Sequence, residues 1–358
     1  MTATATPSHA AGDVDRLASV AISESFIAGL PKAELHVHHV GSVSLRVVAE
    51  LASRHPGTVP SDPDELAEFF IFTDLGHFIR NYLAVVALIK TAEDVRLIAY
   101  EVAADMAGQH IRYAELTVTP YISISEELPT EAFLEAIEDA RQAASRDHGL
   151  ELRWIFDIPA DFGIPAAELT ASVALDHDVP GLVGFGLGGS DLGFPRSMFR
   201  DQFDRARAAG LRSVPHAGET AGPESVWEAL TSLGAERIEH GIAAVGDHRL
   251  VEHLADHNIT LDLALTSNVA LGVVPDLDHH PVRELVSAGV PVTINTDDPP
   301  MFGTDLNAEY AVAARLLDLD EHGVTELALA AVGASFASRE TKSALSEEIS
   351  SYAVTPAP

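Results

Sequence analysis

Apolar residues fall along this chain in two rhythms. Short runs rich in Val, Ile, Leu and Phe, bounded by Gly, Pro or Asp, alternate with longer stretches whose apolar positions recur every three or four residues. The first rhythm is that of buried strands and the second that of amphipathic helices, and their alternation predicts βα units around a parallel sheet. Strands are expected at residues 33–40, 112–118, 152–157, 181–187, 212–216, 237–240, 260–263 and 292–295. Eight of them predict an α/β fold, a (β/α)8 TIM barrel. Residues 43–109 exceed what one crossover helix needs and predict several helices inserted after the first strand, a candidate lid over the barrel mouth. Within that insertion Phe69, Phe70, Phe72, Phe78 and Tyr82 stand at helical spacing and read as core rather than as substrate contacts.

Composition narrows this picture. A length of 358 residues lies in the span of a single barrel, roughly 200 to 400 residues, and an apolar fraction of 47% is enough to build a core. Residues 1–13 are expected to form a disordered N-terminus, 14–345 one barrel domain and 346–358 a C-terminal tail, because neither end carries periodic apolar surface. The 54 acidic and 22 basic residues give a charge of −32, spread along the chain. That balance opposes polynucleotides and anionic membranes and by itself points to no partner. No basic region precedes an apolar stretch, and no run of about 18 apolar residues occurs, so a cytoplasmic protein is expected. The absence of cysteine removes disulfides, thiolate nucleophiles and sulfur-ligated zinc, leaving any metal to His and carboxylate.

The candidate chemistry sits at strand ends. His36 and His38 alternate on the first strand, so both imidazoles share a face, while the following His39 points the other way. His216 in VPHAGE, His240 in RIEHG and Asp297 in TINTDDP fall where later strands give way to loops. In a barrel these ends surround one site. Imidazole nitrogens with one carboxylate oxygen suit Zn²⁺, which lowers the pKa of a coordinated water toward roughly 7. Glu219 follows His216 by three residues and can sit beside a metal without binding it. Asp297 and Asp298 are adjacent and must point apart, so one can ligate and the other meet substrate.

Read in order, LPKAELHVHHVGS, HAGE, RIEHG and TINTDDPPMF resemble the motifs of the adenosine deaminase family of the amidohydrolase superfamily, over about Leu30 to Phe336. The resemblance implies hydrolytic removal of the 6-amino group of an adenine nucleoside, with water as second substrate. It implies one zinc ion held by His36, His38, His216 and Asp297, and Glu219 protonating ring nitrogen N1. It further implies that His240 and Asp297 orient the attacking water and take its proton, that Asp298 bonds the N7 edge, and that the backbone of Gly189 lies near N3.

Departures from the family pattern bear on the substrate. Adenosine deaminases carry HxHLDG, whose aspartate meets the ribose 5′-hydroxyl, and adenine deaminases carry HxHIEG; here the position is Val40. An apolar side chain there predicts a substrate without that hydroxyl or with an apolar extension, unless the position only packs. The usual DLAG is GLGG at 186–189 and the usual EVR is ELT at 115–117. HVHHVGS with RYAELTVTP resembles the bacterial branch that deaminates 6-aminodeoxyfutalosine, a nucleoside of menaquinone synthesis with a bulky apolar 5′ substituent. Adenosine and methylthioadenosine stay open as substrates. A second class, ester, lactone or phosphotriester hydrolysis on the same scaffold, also uses paired histidines but commonly needs a lysine carbamate, and no strand end offers that lysine. A binding protein descended from the fold would be expected to have lost a ligand or Glu219, and none is lost.

Overall fold

The computed structural model describes residues 22–73 and 75–354. Eight parallel strands run in the order β1 to β8: Lys32–His38, Ile111–Val118, Glu151–Pro159, Leu182–Gly188, Arg212–Ala217, Arg237–His240, Thr260–Leu263 and Val292–Ile294. Each expected strand is present, with ends displaced by two residues at most. Helices separate the strands and cover the sheet, burying Leu, Ile, Val and Phe from both layers.

Among the described residues, backbone pairing across the β1–β8 seam is confined to its C-terminal end. The N–H of His38 donates to Asp297 O at 2.8 Å and the N–H of Asp297 donates to His36 O at 3.1 Å, a single bridge between Val37 and Asp297. A bulge in β1 between Glu34 and Val37 lies immediately before this bridge, and such an extra residue re-aims the strand locally.

Below the seam the barrel interior holds a buried ion network. Arg237, 1% exposed, donates to Asp262 at 2.5 Å, to Glu115 at 2.7 Å and to the carbonyls of Leu35 and Ala334. Phe336 covers the guanidinium, 4.4 Å from its ring centroid. Tyr113 and the N–H of Phe336 donate to the remaining oxygen of Glu115, and Thr293 to that of Asp262. Asn295 continues the chain, donating to Thr293 and accepting from the amides of Leu35 and His36. Each carboxylate oxygen of Glu115 and Asp262 thus has a hydrogen-bond partner.

Four helices stand between β1 and β2: α1 (Leu45–Arg54), α2 (Pro63–Phe69), α3 (Leu75–Val86) and α4 (Ala92–Gly108). Asp62 caps α2, and Thr91 with Asp94 forms a capping box on α4, which packs along the barrel as the crossover. At the other end of the chain, the helix Arg339–Ala353 corrects the expected tail from residue 346. Ser338 caps it, Leu345 and Ile349 bury its inner face, and Tyr352 donates to Phe26 O at 3.1 Å. Its apolar positions are too few to stand out as a period, yet two suffice to dock it. The expected disordered segment 1–13 lies outside the described residues.

Candidate active site

β1, β5, β6 and β8 bring His36, His38, His216, His240 and Asp297 together at the C-terminal end of the barrel, and Glu219 joins them from the turn after β5. Strand alternation places His36 and His38 side by side. His240 (φ 62°) and Asp297 (φ 66°) instead reach the centre through left-handed backbone, a conformation that non-glycine residues hold only where the surroundings enforce it.

The donor atoms of His36, His38, His216 and Asp297 all lie within 4.8 Å of one another and could hold a metal ion. Two observations fit that reading. His36 Nε2 is buried without a hydrogen-bond partner, 3.6 Å from Asp297 Oδ1, and His38 Nε2 faces His216 Nε2 at 3.2 Å. Nitrogen lone pairs converging on one point suit a divalent cation. Burial holds His38 down at about 4 and His216 at about 3, so both are neutral and free to ligate. Burial pushes Asp297 up, but the surrounding imidazoles outweigh it and keep the group a carboxylate.

Outer residues set the orientation of these groups. His36 Nδ1 contacts Asp262 O at 3.0 Å, Glu239 Oε2 lies 2.6 Å from His216 Nδ1, and Ser267 donates to Asp297 Oδ2 at 2.6 Å. Asp191 accepts from the amides of Gly218, Thr220 and Ala221, which fixes the turn that carries Glu219. Burial, reinforced by Asp297 and Asp191, pushes the Glu219 carboxyl up to about 8, and its Oε1 is buried without a partner. Burial and the neighbouring Asp297 likewise raise Asp298 well above the carboxylate range. A Cβ on Gly41 would sit 1.5 Å from Asp298 Oδ1, so this glycine of the first motif makes room for that carboxyl.

The cavity over these groups is lined by His38, Gly189, His216, Glu219, His240, Asp297 and Asp298, with His36 buried behind them. Gly189 takes φ +77° beside Asp161. Two expectations are corrected. Val40, 3% exposed, belongs to the core and does not line the cavity, because β1 stops at His38 and the chain turns, with Ser42 N–H bonding back to His38 O. Phe78 and Tyr82, expected only to pack, do line it, together with Ile79 and Leu83 of α3, Ile122, Pro159, Phe162 and Leu271. The helix face that packs inward is the face that roofs the site.

Sequence reasoning missed Asp191, Glu239, Ser267, Asn268, His280 and the cavity-lining Asp157. Burial raises Asp157 to about 7, and Thr119 donates to it at 2.5 Å. Asp191 and Glu239 stood inside GFGLGGSD and RIEHG; Ser267 and Asn268 follow a strand end, where site residues gather; His280 gave no signal. The three lysines, Lys32, Lys90 and Lys342, do not line the cavity, and Lys32 donates to the carbonyls of Ile27 and Leu30.

An eight-stranded barrel with a His/Asp cluster at the C-terminal strand ends defines an amidohydrolase-type enzyme. The adenosine deaminase family matches residues 31–352, and the chain belongs to that family and is a hydrolytic deaminase acting on C–N bonds. It is 59% identical over 331 residues to the aminodeoxyfutalosine deaminase of Streptomyces avermitilis, covering 92% of each chain. It is 35% identical over 326 residues to the adenosine deaminase of Yersinia pseudotuberculosis, covering 89% of this chain and 97% of that one. The solved adenine deaminase of Arthrobacter aurescens superposes with a TM-score of 0.85 at 30% identity, over 90% of this chain and 99% of its own. Among the described residues no helix is long and apolar enough to cross a membrane.

Proposed function

We propose that this enzyme is a cytoplasmic zinc deaminase whose substrate is 6-aminodeoxyfutalosine, with adenosine and methylthioadenosine as poorer substrates. The observation that carries the reading is the cavity itself, which sets the polar deaminase groups beside an apolar wall of Phe78, Ile79, Leu83, Ile122, Phe162 and Leu271. Such a wall suits a bulky apolar 5′ substituent and gives a bare hydroxyl no partner. The apolar role first read into Val40 passes to α3 and its neighbours.

Zinc, held by His36, His38, His216 and Asp297, would supply a water activated for attack on C6. The chain's own groups do the rest. Glu219, protonated at neutral pH, donates to N1 as the water oxygen adds to C6, so charge arriving on the ring is met by a proton. Asp298, also protonated, offers a donor to N7, and the Gly189 N–H one to N3. Asp297 takes the proton of the attacking water and His240 orients it. That proton passes to the amine as ammonia leaves, and the remaining hydroxyl proton returns to Glu219, so that C6 keeps an oxo group and N1 keeps its proton.

The test is ammonia release by the zinc-loaded enzyme with the three nucleosides. A kcat/KM for 6-aminodeoxyfutalosine higher by several orders of magnitude is the expected result, and a preference for adenosine would overturn the substrate assignment.

A further inference from the structure

His240 is held from behind by three hydrogen bonds that begin on a backbone amide. Val282 N–H donates to His280 Nδ1 at 3.1 Å, His280 Nε2 faces Asn268 Oδ1 at 3.1 Å, and Asn268 Nδ2 faces His240 Nδ1 at 3.2 Å. A backbone N–H can only donate, so His280 Nδ1 accepts, and a neutral imidazole that accepts there carries its proton on Nε2. That proton meets Asn268 Oδ1, which settles the orientation of the amide and turns its NH₂ toward His240. His240 Nδ1 is then an acceptor. Its own proton resides on Nε2, the atom 3.6 Å from Glu219 Oε1 and 3.8 Å from Asp297 Oδ2. All three side chains are buried, and burial keeps His280 neutral, down at about 4.

We propose that Asn268 and His280 are positioning residues that lock His240 in the Nε2–H tautomer, so that it presents a hydrogen-bond donor rather than a base to the reacting centre. The tautomer stands on the hydrogen bonds alone, while its catalytic value rests on the deaminase reading above. As a donor, His240 steadies the oxygen that adds to C6, and the proton of the attacking water is left to Asp297. The relay also ties the β6 terminus to the helix after β7 and to the loop before β8, elements that share no other polar contact to His240's ring.

The test begins on the zinc-loaded wild-type enzyme with ¹⁵N-labelled histidine, its signals assigned against His240→Asn. His240 is expected to show a protonated Nε2 and a bare Nδ1; a protonated Nδ1 overturns the proposal. The second arm is Asn268→Asp, nearly the same shape but offering His240 an acceptor, which draws the proton to Nδ1. Its kcat is expected to fall by on the order of 10²–10⁴-fold, as for a misplaced tautomer in other hydrolases, with KM and zinc content little changed. His280→Ala, which frees the amide without inverting it, is expected to give a smaller fall and mixed ¹⁵N signals. Full turnover in an Asn268→Asp enzyme whose signals have reversed would leave the tautomer standing and sink the assigned role of His240. Unreversed signals in that variant would overturn the relay.

Discussion

Two clusters of buried charge share the barrel, and strand β6 contributes to both through Arg237 and His240. In the lower one Arg237 meets one oxygen each of Glu115 and Asp262, and the other oxygen of each carboxylate finds its donor in Tyr113, Thr293 or a backbone amide. In the upper one like groups face each other, His36 Nε2 and Glu219 Oε1 have no partner, and carboxyls are pushed far from their ordinary values. The first arrangement minimises its own energy. The second is completed only by what binds there, and the contrast separates structural charge from functional charge without reference to any relative.

The comparison breaks if either cluster behaves like the other. The largest expected effect is on chemistry: Glu219→Gln should cut turnover by about 10²–10⁴-fold while leaving the bound zinc measurable by atomic absorption. Arg237→Met, measured by urea denaturation, should cost about 3–5 kcal/mol because two carboxylates lose their cation inside the barrel. The sign of the pH dependence sharpens the contrast. Glu219 carries a folded-state value of about 8 against an ordinary 4.5, so the stability tied to its proton is complete below 4.5 and is lost as pH rises through 8. Metal-free wild type should therefore fall behind metal-free Glu219→Gln in melting temperature as pH climbs over that window. A bound dication lowers the same value, which puts the basic limb of kcat/KM at or below pH 8 in the loaded enzyme. The smallest effect belongs to the apolar wall: Phe78→Ala should raise KM for 6-aminodeoxyfutalosine by about tenfold, from lost aromatic burial, and leave adenosine nearly unchanged.

The strands were legible because each is a compact apolar run, and the ligands because period-two alternation and strand ends constrain where a side chain can point. Legibility stopped where the period stopped. The family motif sets Val40 against the substrate, but β1 ends at His38 and the turn that follows buries this side chain in the core. For α3 the helical period showed that Phe78 and Tyr82 face inward without showing that inward is the roof of a cavity. Asp191 and His280 act through partners 27 and 12 residues away, across loops whose path no local pattern encodes. The docked helix at the C-terminus was hidden for a related reason, since its few apolar contacts matter only once the barrel exists.

The seam between β1 and β8 would give the exchange of a bound metal a mechanical character. Among the described residues the amides of His38 and Asp297 carry the backbone-to-backbone bonds of that seam, and the side chains of those same residues could hold a metal. An ion held by these residues would add a bridge between β1 and the chain just after β8. Loosening of the seam and loss of the ion would then be linked, and removal of the ion by a chelator should speed the deuterium exchange of those two amides.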